Sequence, residues 1–89
     1  GGFTDCLLQK GAAGVHSVDV GFNQLDYRLR TDSRVNVLER TNIMSVISLD
    51  PKPDMAVADL SFRSISGAAP YIISLTAEKL LVAIIKHQF

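Results

Sequence analysis

With 89 residues the chain has room for one small domain; 47% of it is apolar, and nine basic residues balance nine acidic ones. That neutral total gives no sign of nucleic-acid binding and does not rule it out, since a basic groove could be supplied from elsewhere in a larger protein. The single cysteine, Cys6, rules out an internal disulfide and a cysteine-based zinc site; it reads as a small buried helix residue and points to a reducing compartment. Gly-Gly-Phe-Thr-Asp at the start has neither the basic beginning nor the apolar centre of a secretory leader. The most apolar run, Leu80 to Ile85, is far shorter than the roughly 20 residues of a membrane helix, so a buried strand and a cytoplasmic home are expected.

Gly1 and Gly2 precede a short helix whose apolar residues Phe3, Leu7 and Leu8 share one face and which should stop at Gly11. A glycine turn feeding a helix is where a ligand-binding loop sits, although the strand that should deliver the chain into it is absent. The first strand is Val15 to Val20. Asn23 is the expected cap of the next helix, with Asp26 three places on, and Leu25 and Leu29 turn toward the sheet. Arg34 to Leu38 forms the second strand and runs into the polar cluster Glu39, Arg40, Thr41 and Asn42.

A brief connection over 43–49 leads to a proline turn, Asp50 to Asp54. The third strand, Met55 to Ala58, is expected to end at Asp59, with Leu60, Ser61 and Phe62 leaving it as a loop. Ser66 should cap a helix reaching about Leu75 through Ala69, Ile72 and Ile73, with Pro70 tolerated near its first turn. The last strand is Leu80 to Ile85, followed by Lys86, His87, Gln88 and Phe89. Helices and strands alternate, which gives an α/β domain with a parallel sheet and right-handed crossovers, here one domain over 1–89 without linker or repeat.

In a parallel sheet the strand ends of one kind lie along one edge, so Asp19, the Glu39 to Asn42 cluster, Asp59 and Lys86 are expected together there. Any one of them could simply stop a strand. Several, each directly after an apolar run, favour a site. An acid ending a strand, followed by Gly21, suits the ribose diol of a nucleoside cofactor. A lysine near a second acid suits removal of a hydroxyl proton, provided burial or neighbouring cations lower the lysine pKa; Asp59 would hold the ammonium in position. His16, alone within a strand, reads as structural, and no metal site is expected.

The segments GGFTDCLLQKGA, VDVGFNQLDYRLR, LERTN, DMAVADLSFRSI and IKHQF together resemble the S-adenosylmethionine domain of the TlyA-type hemolysin family, the FtsJ-like ribosomal RNA 2′-O-methyltransferases, over essentially the whole chain. The resemblance implies a Rossmann-like methyltransferase fold, a parallel sheet flanked by helices and truncated at both ends, so that 1–89 is a partial domain lacking its first and last strands. It further implies that the missing first strand belongs between those carrying Asp19 and Asp59, and that an S4-like RNA-binding domain lies upstream. By the same resemblance S-adenosylmethionine is the cofactor. Gly1 and Gly2 belong to its loop, Asp19 to the ribose contact, Thr41 and Asn42 to the adenine side, and Val20 also borders the cofactor. Asp59 and Lys86 belong to a catalytic Lys-Asp-Lys-Glu set whose first lysine and glutamate fall outside the chain; Asp59 also borders the cofactor. His87 departs from the family, which has proline there.

The activity implied is in-line transfer of the sulfonium methyl to a ribose 2′-hydroxyl of ribosomal RNA, with cytidine the expected nucleotide, ribosomal RNA or ribosomal subunits the partner, and the 89 residues alone inactive. A non-catalytic module that binds S-adenosylmethionine or RNA is the alternative. An NAD-dependent dehydrogenase ranks lower, because Gly1, Gly2, Phe3, Thr4 and Asp5 lack the third glycine a pyrophosphate loop needs. The hemolysin label does not make this a membrane protein, since no helix combines a broad apolar face with a lysine-rich one.

Overall fold

The computed structural model describes residues 2–21, 25–61 and 65–86. The chain divides into two compact units, Gly1–Ser45 and Val46–Phe89. The described elements are α1 (Gly2–Gln9), β1 (Val15–Val18), α2 (Tyr27–Arg30), β2 (Val35–Leu38), a 3-10 turn (Ile43–Ser45), β3 (Ala56–Ser61), α3 (Ile65–Ser74) and β4 (Leu81–Lys86). The strands pair in parallel, β1 with β2 and β3 with β4, as two two-stranded sheets. The alternation expected from the sequence is present. The strand expected over Val15 to Val20 is present and ends at Val18.

In the first unit α1 buries Thr4 and Leu8, one turn apart, with Phe3 and Leu7 half-buried. The Thr4 hydroxyl donates to the Ser17 hydroxyl at 3.4 Å, tying the helix to β1. Cys6 lies on the outer side and is exposed, which corrects the expectation of a buried thiol. The helix ends as its glycine foretells. Gly11 takes φ +98°, its N–H donates to the Leu8 carbonyl at 3.1 Å, and the Ala12 N–H reaches the Leu7 carbonyl at 3.0 Å. These two bonds satisfy carbonyls that the last turn would otherwise leave open, the arrangement of a Schellman cap.

The second helix is shorter than its pattern suggested. Its cap is Asp26, whose Oδ1 accepts the Arg28 N–H at 2.9 Å, while Asn23 lies outside the described residues. Leu25 is buried just before the helix and Leu29 is half-buried within it, so the apolar spacing serves a turn plus one helical turn. Arg30 closes on Glu39 at 2.7 Å and fastens α2 to the end of β2.

The second unit packs α3 on the face of β3–β4 that carries Leu60. Among the described residues, Leu60, Ile72, Leu75 and Val46 are its buried apolar side chains, each worth about 1.5–3 kcal/mol when removed from water. Ser66 is not the cap of α3. The helix already includes Ile65, and Ser66 sits exposed in its first turn. Pro70 is the sixth residue of that helix and not in its first turn, so it forgoes a backbone bond to Ser66. Thr76, 1% exposed, accepts the Leu80 N–H at 3.2 Å and donates to the Ile73 carbonyl at 2.9 Å, while Ala77 and Glu78 donate to the Pro53 and Asp54 carbonyls. That knot brings the starts of β3 and β4 side by side.

Candidate cofactor site at the strand ends

Two consecutive loops meet in the first unit because β1 and β2 run the same way. Asp19 follows β1; its N–H donates to the Leu38 carbonyl at 3.0 Å and its own carbonyl accepts the Thr41 N–H at 2.8 Å. The Arg40 N–H donates to the Gly21 carbonyl at 2.8 Å, with Arg40 at φ +50°. A non-glycine residue in that region is uncommon, and here two cross-loop bonds hold it there. The half-buried Asp19 carboxylate accepts the Gly21 N–H on Oδ1 at 2.8 Å. A carboxylate has about four acceptor sites, so this turn bond leaves capacity for a diol.

Beside it Val20 is 72% exposed. The Thr41 hydroxyl donates to the Glu39 carbonyl at 2.8 Å, and the Asn42 side-chain oxygen accepts the Met44 N–H at 2.9 Å. Asp19, Val20, Thr41 and Asn42 therefore occupy adjoining loops of one unit. Glu39, grouped with them by sequence, faces Arg30 and serves the packing of α2. Gly2 opens α1, and nothing lies within 4 Å of where its Cβ would be, so packing does not require glycine there. Gly1 lies outside the described residues.

A cleft of about 560 Å³ in this unit is lined by Gly2, Asp5, Gln9, Asp26, Arg28 and Arg34 among others. Of the expected cofactor residues it includes only Gly2. Its charges answer one another: Arg34 pairs with Asp32 at 2.7 Å, and Arg28 lies 3.6 Å from Asp26. The expected cofactor residues Asp19, Val20, Thr41 and Asn42 lie instead on the strand-end loops, around the half-buried Asp19 carboxylate.

In the second unit the structure corrects the third strand. Asp59 lies within β3, opposite Ile84, and the strand continues through Leu60 and Ser61. Asp59 does not terminate the strand; it stands exposed on it, because the burial falls on the alternate residue Leu60. Lys86 is the last residue of β4 and pairs in register with Ser61. It therefore belongs to the strand that was expected to end at Ile85. Asp59 and Lys86 thus lie on neighbouring strands, offset by two residues, about 6.5 Å along the sheet. Ser61 was missed as a neighbour of Lys86 since the sequence placed it in a loop. His87 lies outside the described residues.

His16 accepts on Nδ1 from the Asn36 amide at 3.0 Å across β1–β2. Among the described residues no group of three or more His, Cys, Asp or Glu is placed to hold a metal ion, and no helix is long and apolar enough to cross a membrane.

Comparison with known proteins identifies the family. The family model described as FtsJ-like methyltransferase matches residues 1–89. The chain is 45% identical over 93 residues to "Hemolysin A" of Brachyspira hyodysenteriae, covering all of the chain and 39% of that relative. It is 42% identical over 92 residues to "16S/23S rRNA (cytidine-2'-O)-methyltransferase TlyA" of Mycobacterium tuberculosis, covering all of the chain and 34% of the relative. A third relative, "Putative rRNA methyltransferase YqxC" of Bacillus subtilis, is 43% identical over 93 residues, again over all of the chain and 33% of its own length. The chain thus spans between a third and two fifths of these relatives. No solved structure matches it.

Proposed function

From the premise that this chain belongs to the FtsJ-like methyltransferase family, we propose that it is the cofactor-binding part of an S-adenosylmethionine-dependent enzyme that methylates a ribose 2′-hydroxyl of ribosomal RNA, cytidine being the expected nucleotide. The observation that carries this reading is the Asp19 carboxylate, oriented by the Gly21 N–H at the end of a parallel strand, in a chain matched throughout by the family model.

In this reading Asp19 accepts the two ribose hydroxyls of the cofactor, Gly1 and Gly2 let the backbone come close to its amino-acid end, and Val20, Thr41 and Asn42 form the adenine side. Bound S-adenosylmethionine supplies an electrophilic methyl group. Lys86 takes the proton from the acceptor hydroxyl, and Asp59, two residues back in the register, holds the ammonium in position and borders the cofactor. General-base help is worth about 10²–10⁴-fold, whereas alignment of two reactants removes roughly 7–11 kcal/mol of barrier. Most of the rate then comes from how the strand ends hold cofactor and RNA. The partner is ribosomal RNA or a ribosomal subunit, and the reading implies a cytoplasmic location.

The test uses the full-length protein that contains this chain. Tritium from labelled S-adenosylmethionine should enter ribosomal RNA of isolated subunits and be recovered as a 2′-O-methylated nucleoside after digestion. Cofactor binding without any transfer would favour a non-catalytic module, and absence of binding would remove the assignment.

A further inference from the structure

We propose that Met44 is the side chain on which the purine base of the cofactor rests, and that Asn42 is a positioning residue that holds Met44 there; this builds on the reading of Asp19 as the ribose contact. The loops after β1 and β2 are joined at two points, Thr41 N–H to the Asp19 carbonyl and Arg40 N–H to the Gly21 carbonyl, both at 2.8 Å. A nucleoside held at Asp19 by its ribose then has these two joined loops within reach of its base.

Each of the two loops exposes one apolar side chain. Met44 is 47% exposed on the second loop and Val20 is 72% exposed on the first. A polarizable thioether suits the face of a flat heteroaromatic ring, and covering it removes apolar area from water.

Asn42 has another task. Its side-chain oxygen is taken by the Met44 N–H at 2.9 Å, and its backbone carbonyl accepts both the Ser45 N–H at 2.9 Å and the Ser45 hydroxyl at 2.7 Å. Three bonds thus converge on one residue to wind the 3-10 turn Ile43–Ser45 that presents Met44. Only an acceptor oxygen is needed for the side-chain bond, so aspartate can replace asparagine in that role, as it does at helix caps generally.

The experiment measures binding of S-adenosylhomocysteine to the full-length protein by calorimetry, with S-ribosylhomocysteine, which lacks the base, as a competitor whose inhibition constant reports the ribose and amino-acid contacts alone. Met44→Ala should weaken S-adenosylhomocysteine roughly three- to tenfold and leave S-ribosylhomocysteine unchanged. Met44→Leu should restore most of the loss. Asn42→Ala should reproduce the base-specific defect, Asn42→Asp should rescue it, and the Asn42→Ala/Met44→Ala double variant should be no worse than either single one, because both act through one contact.

Wild-type affinity in Met44→Ala, or equal loss of both ligands, would overturn the proposal. If Asn42→Asp failed as badly as Asn42→Ala, Asn42 would be reading the base directly and its positioning role would fall. A wild-type protein that binds neither ligand would instead sink the cofactor reading beneath it.

Discussion

Asp19 and Gly21 form a closed turn in which the acid orients itself: Oδ1 of the carboxylate accepts the Gly21 N–H at 2.8 Å, while the Asp19 backbone is held on both sides by Leu38 and Thr41. In the proposed reading, the charge offered to the ribose is fixed before a ligand arrives, which lowers the ordering cost of binding. Asp19→Asn keeps an oxygen for the turn and gives up the charge; Asp19→Ala gives up both. Loss of a charge-assisted hydrogen bond costs about 1.5–3 kcal/mol, so calorimetry on the full-length protein should show S-adenosylmethionine affinity falling at least tenfold in each variant, with Asn the milder. Unchanged affinity in Asp19→Ala would remove Asp19 from the site.

Gly11 offers a cleaner test of local structure. No atom lies within 4 Å of a Cβ placed there, so an added methyl would meet no neighbour and only the backbone penalty at φ +98° remains. Gly11→Ala should destabilise the protein by about 1–2 kcal/mol, read as a lower urea midpoint at unchanged slope. Gly11→Asn should lose less, since asparagine tolerates left-handed backbone.

The turn between α2 and β2 carries a pH signature. The Arg34 side chain, hydrogen-bonded to the Asp32 carboxylate, together with the Arg34 N–H and its positive charge, lowers the Asp32 pKa to about 2. A depressed folded-state value means that the stabilisation is complete above the ordinary aspartate range and is lost as pH falls from there toward 2. Carbon-13 carboxyl shifts between pH 5 and 3 should show Asp32 still ionised in the wild type and already titrating in Arg34→Ala. The pair is solvent-exposed, so raised salt should narrow the difference. Coincident titration of the two proteins would refute the coupling.

The strand cores were legible because Val15 to Val18 and Val35 to Leu38 are dense in β-branched residues, and Gly11 announced the end of α1. Asp59 misled for a physical reason. On a strand with one face against a helix, a charged residue on the other face looks in sequence like a terminator, and only the burial of Leu60 after it shows that the strand goes on. Caps misled in a similar way: Asn23 competed with Asp26, and Ser66 has cap chemistry but lies inside the helix. Asp19 was visible as an acid after an apolar run. Met44 was not singled out, since one methionine after a polar cluster carries no signal until its exposure and the Asn42 bond are seen.

Lys86 separates an enzyme from a binding module. It closes β4 in register with Ser61, next to the strand that carries Asp59, whereas Asp19, the proposed ribose contact, belongs to the other unit. If Lys86 serves the acceptor hydroxyl and not the cofactor, Lys86→Ala in the full-length protein should leave S-adenosylhomocysteine affinity within about twofold while reducing methyl transfer by about 10²–10⁴-fold. Lys86→Arg should fail as well, because a guanidinium stays protonated and cannot accept the proton. Asp59→Asn should lower the transfer rate, and pairing it with Lys86→Ala should add little, since a group that acts only by holding Lys86 has nothing left to hold. Tritium transfer into ribosomal subunits, run beside a binding isotherm for each variant, reads both quantities. Near-normal transfer by Lys86→Ala and Lys86→Arg would take Lys86 out of the mechanism, and a further large loss in the double variant would give Asp59 a role of its own.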